Sequence, residues 1–348
     1  MFLVQLKNLS QRDDRKNMKK YIVITSIFEP SGAVKKFNAL KDWQLVVVGD
    51  KKTPESWKLP GAVYLSPAAQ KRLPYRLARL LPWNHYSRKM LGYLYALEHG
   101  ADVIASVDDD NIPEINWADG IPAFSGTFAT ATNPGFINPY TFFTDKMIWP
   151  RGFPLSRINK DKGVKVQQEK ARIGIWQMLS DEDPDVDAVY RLTSNAPVFF
   201  NKKQVPLVLS SGTVAPFNTQ NTATLRLVSP LLYLPTTVTF RFTDILSSLC
   251  AQAPMWHAGY RLGFATSNTR QERNPHDYLR DFESEIPMYL HGEKAASIAQ
   301  EVTRPDYTIE QNLLKIYIAL AKERIVDKKE LPVLKAWLSD IKDILGRP

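Results

Sequence analysis

The 348-residue chain has a single cysteine, Cys250, which excludes an internal disulfide framework and a cysteine-rich zinc site. No apolar run approaches the length of about 18 residues that a membrane-spanning helix needs. The opening, MFLVQLKNLSQRDDRKNMKK, meets charge too early to form a signal-peptide core. No G-x-G-x-x-G follows the first strand-like run and no G-x-x-x-x-G-K-S/T occurs, so dinucleotide and P-loop chemistry lose their main support. Repeats, low-complexity tracts, zinc fingers and basic–aromatic single-strand motifs are lacking too, and no nucleic-acid partner is expected. A cytoplasmic protein is the expectation.

What is present is a globular composition, 44% hydrophobic and 23% charged, with a net charge of +9. The cations are scattered except in QKRLPYRLARLLPWNHYSRK, residues 70–89. That stretch suits a solvated helix face, a contact for diphosphate groups, or a peripheral contact with the inner face of an anionic membrane. Residues 1–19 read as a polar leader, with Met18 a natural alternative start. YIVITSI (21–27), WQLVVVGD (43–50) and DVIASV (102–107) are continuous apolar runs suited to strands buried on both faces, and AVYL (62–65) is a weaker one. HYSRKMLGYLYALEHGA (85–101) predicts a helix, with Met90, Leu91, Leu94 and Leu97 at helical spacing and Gly100 placed to end it. Strands alternating with helical segments indicate an α/β layered sheet with mainly parallel strands. Residues 120–240, rich in Pro, Asn, Thr and aromatics, predict long loops and mixed strands, where such folds place substrate-binding elements. TFRFTDILSSLCAQ (239–252) predicts a strand end running into a helix, and YRLGFATSN (260–268) another strand. The tail from YTIEQNLL to DIKDIL predicts two amphipathic helices.

In open α/β sheets ligands bind beyond the carboxyl ends of the strands. Two apolar runs deliver aspartates there: Asp50 in VVVGD, and Asp108, Asp109 and Asp110 in VDDDNIP. Adjacent carboxylates repel unless a cation neutralises them, and a hard divalent ion with oxygen ligands, Mn²⁺ or Mg²⁺, is the economical partner. Such a strand end suggests a metal–diphosphate site; an acidic turn capping the next element is the alternative.

VDDDNIP also resembles the Asp-x-Asp of GT-A glycosyltransferases, and further blocks sharpen the likeness. WPRGFPL (149–155), GIWQMLSDEDPDVDAVYRLT (174–193), PFNTQNT (216–222), LYLPTTVTFRFTDIL (232–246) and RNPHDY (273–278) together resemble the STELLO-type glycosyltransferases. More distantly they are similar to the reversibly glycosylated polypeptides that act as UDP-arabinopyranose mutases. The likeness runs from about Tyr21 to Glu293. Plant STELLO proteins are membrane-anchored with further domains, whereas this chain looks like the core alone.

The resemblance implies a GT-A-type mixed sheet flanked by helices over residues 20–300, with a helical appendage over 301–348. It implies a metal-dependent transferase taking a nucleotide-sugar donor, a UDP-sugar, and a glycan or glycoconjugate acceptor. Asp108 and Asp110 become metal carboxylates with His276 as a late ligand, and Asp108 and Asp109 contribute to the nucleotide. Arg88 and Lys89 match a basic helix start suited to pyrophosphate, and Asp50 suits the base or ribose. Arg151 matches a sugar-side arginine that can hold a sugar or phosphate oxygen. Asp244, otherwise a helix cap, stands where an acceptor-side general base is found. The acidic run Asp181–Asp187 matches a substrate-side loop, and Trp176 is assigned to the core. A nucleotide-sugar mutase and a non-catalytic scaffold are the alternatives.

Overall fold

The computed structural model describes residues 18–160, 163–194, 196–272 and 277–346. Strand β1 (Lys20–Thr25) is flanked by parallel β2 (Trp43–Val48) and β4 (Val103–Val107), and β3 (Val63–Leu65) adds outside β2. The uninterrupted apolar sequences follow from burial on both faces. Val23, Val46 and Ile104 join one hydrophobic cluster, while Ile22, Ile24, Leu45, Val47 and Ala105 join a second cluster on the opposite side. Three helices lie along this half: α1 (Gly32–Asn38), α2 (Pro67–Arg72) and α3 (Lys89–Glu98). A Cβ on Gly92 of α3 would stand 2.5 Å from Val23 Cγ1, so glycine permits the close approach of α3 to the sheet. The chain then leaves the helix through Gly100 at φ +84°.

Short strands β5 (Asn111–Pro113), β6 (Ser125–Ala131) and β7 (Gly135–Phe136) precede β8 (Val166–Asp181), which was not expected from the sequence. Its first half is polar and mostly exposed and pairs with β6; its second half is buried. Helix α4 (Ala188–Thr193), β9 (Leu207–Leu209), β10 (Thr213–Val214) and β11 (Asn221–Leu225) follow, then α5 (Phe240–His257) and β12 (Arg261–Gln271). Ten strands form one mixed sheet, ordered β3-β2-β1-β4-β11-β8-β6-β9-β12-β5; β11 runs antiparallel to β4, and β8 also pairs in parallel with β12. The α/β mixed sheet flanked by helices is therefore present. Residue 239 is an extended helix cap rather than a strand end. Trp176 is fully buried, with its ring against the site of Gly263.

A helix the sequence did not announce, α6 (Tyr278–Val302), precedes the two expected helices of the tail, α7 (Ile309–Lys322) and α8 (Glu330–Leu345). Tyr317, Leu334 and Trp337 join the same hydrophobic cluster as Leu94 of α3 and Leu249 of α5. The Glu330 side chain, fully buried, accepts bonds from the Thr236 and Thr237 amides at 2.8–3.0 Å and from the Tyr233 hydroxyl. Among the described residues no helix is long and apolar enough to cross a membrane.

Candidate functional site

The three aspartates after β4 go in three directions. Asp108 meets Lys89, the first residue of α3, whose ammonium lies 3.1 Å from its Oδ1. The same ammonium donates to the carbonyls of Val107 (2.9 Å) and Thr219 (3.2 Å) and to the Tyr86 hydroxyl (3.1 Å). Burial pushes the lysine pKa down, and Asp108 pulls it back toward the charged form. Tyr86 also donates to Asp108 Oδ1 (3.3 Å) and shares a short bond with the Thr219 hydroxyl. Asp109 turns toward β1, where its Oδ2 accepts from Ser26 Oγ at 2.5 Å and its carbonyl from Ser31 Oγ at 2.5 Å. Burial raises its pKa; the Ser26 bond opposes this and the neighbouring Asp108 adds to it. Asp110 faces the end of β12, where Gln271 Nε2 donates to its Oδ2 at 3.3 Å.

Across a cleft from Asp108 stand Arg151, Asp185 and Asp244. Arg151 Nε and Nη2 reach the two oxygens of Asp185 at 2.8 and 2.9 Å; Nη1 and Nη2 reach those of Asp244 at 3.0 and 2.9 Å. Nη1 also donates to the Arg241 carbonyl. These bonds occupy all five guanidinium N–H groups. Burial opposes the arginine's charge, but the two carboxylates hold it protonated well above the usual range. Expected to hold a sugar or phosphate oxygen, Arg151 instead locks two carboxylates in place, because the fold leaves it no spare donor. Asp244 lies one turn into α5, and its Oδ1 also accepts its neighbour's amide, Ile245 N, at 3.0 Å.

The acidic run supplies the second carboxylate of that clamp, and its other aspartates are each engaged elsewhere. Asp181 binds Phe200 N, Ser267 Oγ and Lys202; Asp183 pairs with Arg191; Asp187 caps α4 through Tyr190 N (2.9 Å) and accepts from Trp149 Nε1 (2.7 Å). Burial raises the Asp187 pKa to about 6, against the bonds that favour its charge. A native pKa above the unfolded one means that stability from this proton is complete below about pH 4 and is lost as pH rises through about 6. Relative to Asp187→Asn, which cannot titrate, the native protein should therefore gain up to roughly 3 kcal/mol between pH 7 and pH 4. Urea unfolding of both proteins at each pH checks this; a constant difference would refute it.

Arg88 and Lys89 were expected to act together, but successive residues at a helix start face different sides. Arg88 Nε donates to Gln70 Oε1 (2.6 Å) and Nη1 to the Leu81 carbonyl (3.1 Å), with the Trp83 ring 3.5 Å from its carbon. Burial lowers its pKa to about 10, and none of its bonds involves the aspartates. Asp50 is buried, accepting the amides of Lys51 (2.7 Å) and His85 (3.2 Å). His276 lies outside the described residues. The sequence reading missed Tyr86, Gln220, Phe240, Arg241 and Gln271, which also line the cleft, and gave Asp185 only as one acid of a substrate-side run. Arg241 is held by Glu285 of α6, its Nε 2.9 Å from Oε1.

Among the described residues no three His, Cys, Asp or Glu side chains converge as metal ligands. By donor chemistry the carboxylates of Asp108 and Asp110 are of the hard oxygen kind that Mg²⁺ and Mn²⁺ take, such ions usually using one or two protein carboxylates and completing their shell with water and phosphate oxygens. The one Asp108 oxygen held by Lys89 and Tyr86 leaves Oδ2 without a protein hydrogen bond among the described residues.

Fold and cleft together define an α/β protein with a carboxylate-rich site beyond the ends of its parallel strands. A family model described as STELLO glycosyltransferases matches residues 241–346. Two Arabidopsis thaliana proteins named "Probable glycosyltransferase STELLO1" and "Probable glycosyltransferase STELLO2" are 26% and 25% identical over 344 residues. Each alignment covers 92% of this chain and 44% of the relative, so the chain spans less than half the length of either. The resemblance to STELLO-type proteins read from the sequence is thus shown. A crystal structure of a mycobacterial protein aligns with a TM-score of 0.41 at 11% identity, covering 82% of this chain and 75% of that one.

Proposed function

We propose that this protein is a glycosyltransferase that takes a nucleotide-sugar donor, with Mn²⁺ or Mg²⁺, and a glycan or glycoconjugate acceptor. The observation that carries this reading is the pairing, across one cleft, of a strand-end aspartate backed by a buried lysine with a second, arginine-clamped carboxylate. Counting Arg241 with the Glu285 that holds it, the carboxylates of Asp108, Asp185, Asp244 and Glu285 outnumber the cations Lys89, Arg151 and Arg241 there, so an anionic diphosphate enters favourably only with a cation. Asp108 and Asp110 would hold the divalent ion, which would supply Lewis-acid neutralisation of the departing diphosphate.

The chain's own groups do the rest. Lys89 and Tyr86 fix the Asp108 carboxylate from behind. Asp244 takes the proton from the acceptor hydroxyl as the glycosidic bond to the donor phosphate breaks and the bond to the acceptor oxygen forms. Arg151 holds both Asp244 oxygens and aims the carboxylate, as a positioning residue. Tyr86 and Phe240, whose rings meet edge to face at 5.6 Å, wall the cleft.

The test is a sugar-nucleotide panel with purified protein, following nucleoside diphosphate release with and without Mn²⁺. Metal-dependent release from one donor, reduced at least about 100-fold in Asp110→Ala, supports the transferase. Isomerisation of the donor without release would assign a mutase instead. No binding of any donor in the presence of metal would leave a scaffold.

A further inference from the structure

A second concavity, with a volume of about 400 Å³, lies away from the aspartates. Its lining includes apolar Phe136, Ile137 and Phe153 and polar Ser156, Arg157 and Lys160. Arg157 stands over the Phe136 ring, 5.9 Å from its centre, and its Nε binds Glu293 Oε1 of α6 at 2.8 Å. Lys160 has no anionic partner among the described residues, so two cations face one carboxylate. An aromatic face beside spare positive charge fits a ring with apolar C–H groups and an acidic substituent.

The pocket is tied to the cleft at two points. Phe153 belongs to the same turn as Arg151, through Gly152 at φ +88°, where a Cβ would meet Ile245 of α5 at 2.4 Å. Helix α6 makes the other link: Glu285 grips Arg241, which lines the cleft, and Glu293 grips Arg157, which lines the pocket. The two glutamates stand eight positions apart, a rise of about 12 Å along the helix axis, which sets the scale of the separation between the residues they grip. A few linked sugar rings span that distance.

We infer that this pocket is a distal acceptor subsite for an acidic sugar unit, bearing a carboxylate or phosphate, of an oligosaccharide whose end enters the cleft. The inference rests on the transfer reaction proposed above, but its test needs neither donor nor metal. Calorimetry should show a trisaccharide acidic at one end only, maltotriose with a single terminal uronic acid unit, binding at least about tenfold more tightly than neutral maltotriose, the effect of one or two charge-assisted bonds. Arg157→Gln with Lys160→Gln should remove that preference; both residues are exposed, and the Arg157–Glu293 pair contributes little to folding. Phe136→Leu should weaken both sugars, while inorganic phosphate should compete only weakly. Equal binding of the two sugars, no binding of either, a preference that survives in the double variant, or full competition by phosphate alone would overturn the subsite. Loss of the transfer reading would appear instead in the sugar-nucleotide panel, with this preference intact.

Discussion

Replacing Arg151 with methionine should destabilise the protein by about 3–5 kcal/mol, among the largest effects available to a single substitution here. Methionine occupies a similar volume but donates nothing, so Asp185 and Asp244 would be left buried side by side. Asp185 would keep its bond from Asn218 Nδ2, at 2.8 Å, and Asp244 that from the Ile245 amide, but neither would face a cation within the clamp. Two adjacent buried carboxylates raise each other's pKa, so the variant's deficit should shrink as pH falls from 7 to 5. Lysine at 151 restores the charge but not the planar fork that serves four carboxylate oxygens, and should recover only part of the loss. Urea unfolding of the three proteins at both pH values measures this. A deficit below about 1 kcal/mol would mean that the clamp does not hold the site together.

Lys89→Met should cost about 3 kcal/mol, for a different reason. The carbonyls of Val107 and Thr219 lose their shared donor in a buried setting, and Asp108 loses its cation. Because the Asp108 side chain is one-third exposed, water can take over part of its solvation, whereas the carbonyls have no such relief. Adding Asp108→Asn to Lys89→Met should therefore recover less than half of the loss, and the double-mutant cycle isolates the ion pair from the backbone contacts. In the proposed reaction, Lys89→Met frees the Asp108 rotamer, and kcat/KM should fall about 100-fold. Wild-type turnover in a stably folded Lys89→Met protein would remove Asp108 from the site.

The parallel half of the sheet was legible because strands buried on both faces need uninterrupted apolar sequence, as in residues 21–27 and 43–48. Helix α3 was legible from Met90, Leu91, Leu94 and Leu97, and α7 and α8 from their apolar stripes. Helix α6 escaped notice because its outward positions in the first three turns are Leu279, Phe282, Ile286 and Leu290, all exposed, and Pro287 interrupts the pattern. The polar first half of β8 resembled a loop for the complementary reason: both of its faces there are largely exposed. At the site, three aspartates at a strand end announced the need for a cation. Whether Arg88 or Lys89 answered depended on the phase of the helix start, which residue order alone does not set. Asp185 could not be told from the other acids of its run, since only the fold brings Arg151 to it. The same holds for the saturation of Arg151, which no spacing encodes.

The clasp between Glu330 and the 233–237 segment bears on where this chain can be cut or recombined. Two residues beyond Thr237 comes Thr239, the cap of the helix that carries Asp244. Trp337 adds a second fastening through its bond to the Pro230 carbonyl at 2.9 Å. A protease cleaving between α7 and α8 would leave α8 clipped in place and the fold intact until that helix dissociated. A chimera of two relatives that joined one protein's α8 to the other's 230–237 segment would mismatch the clasp, and the misalignment would surface at Asp244 rather than at the seam. The last helix and the approach to α5 are thus one unit of inheritance, although about ninety residues of chain lie between them.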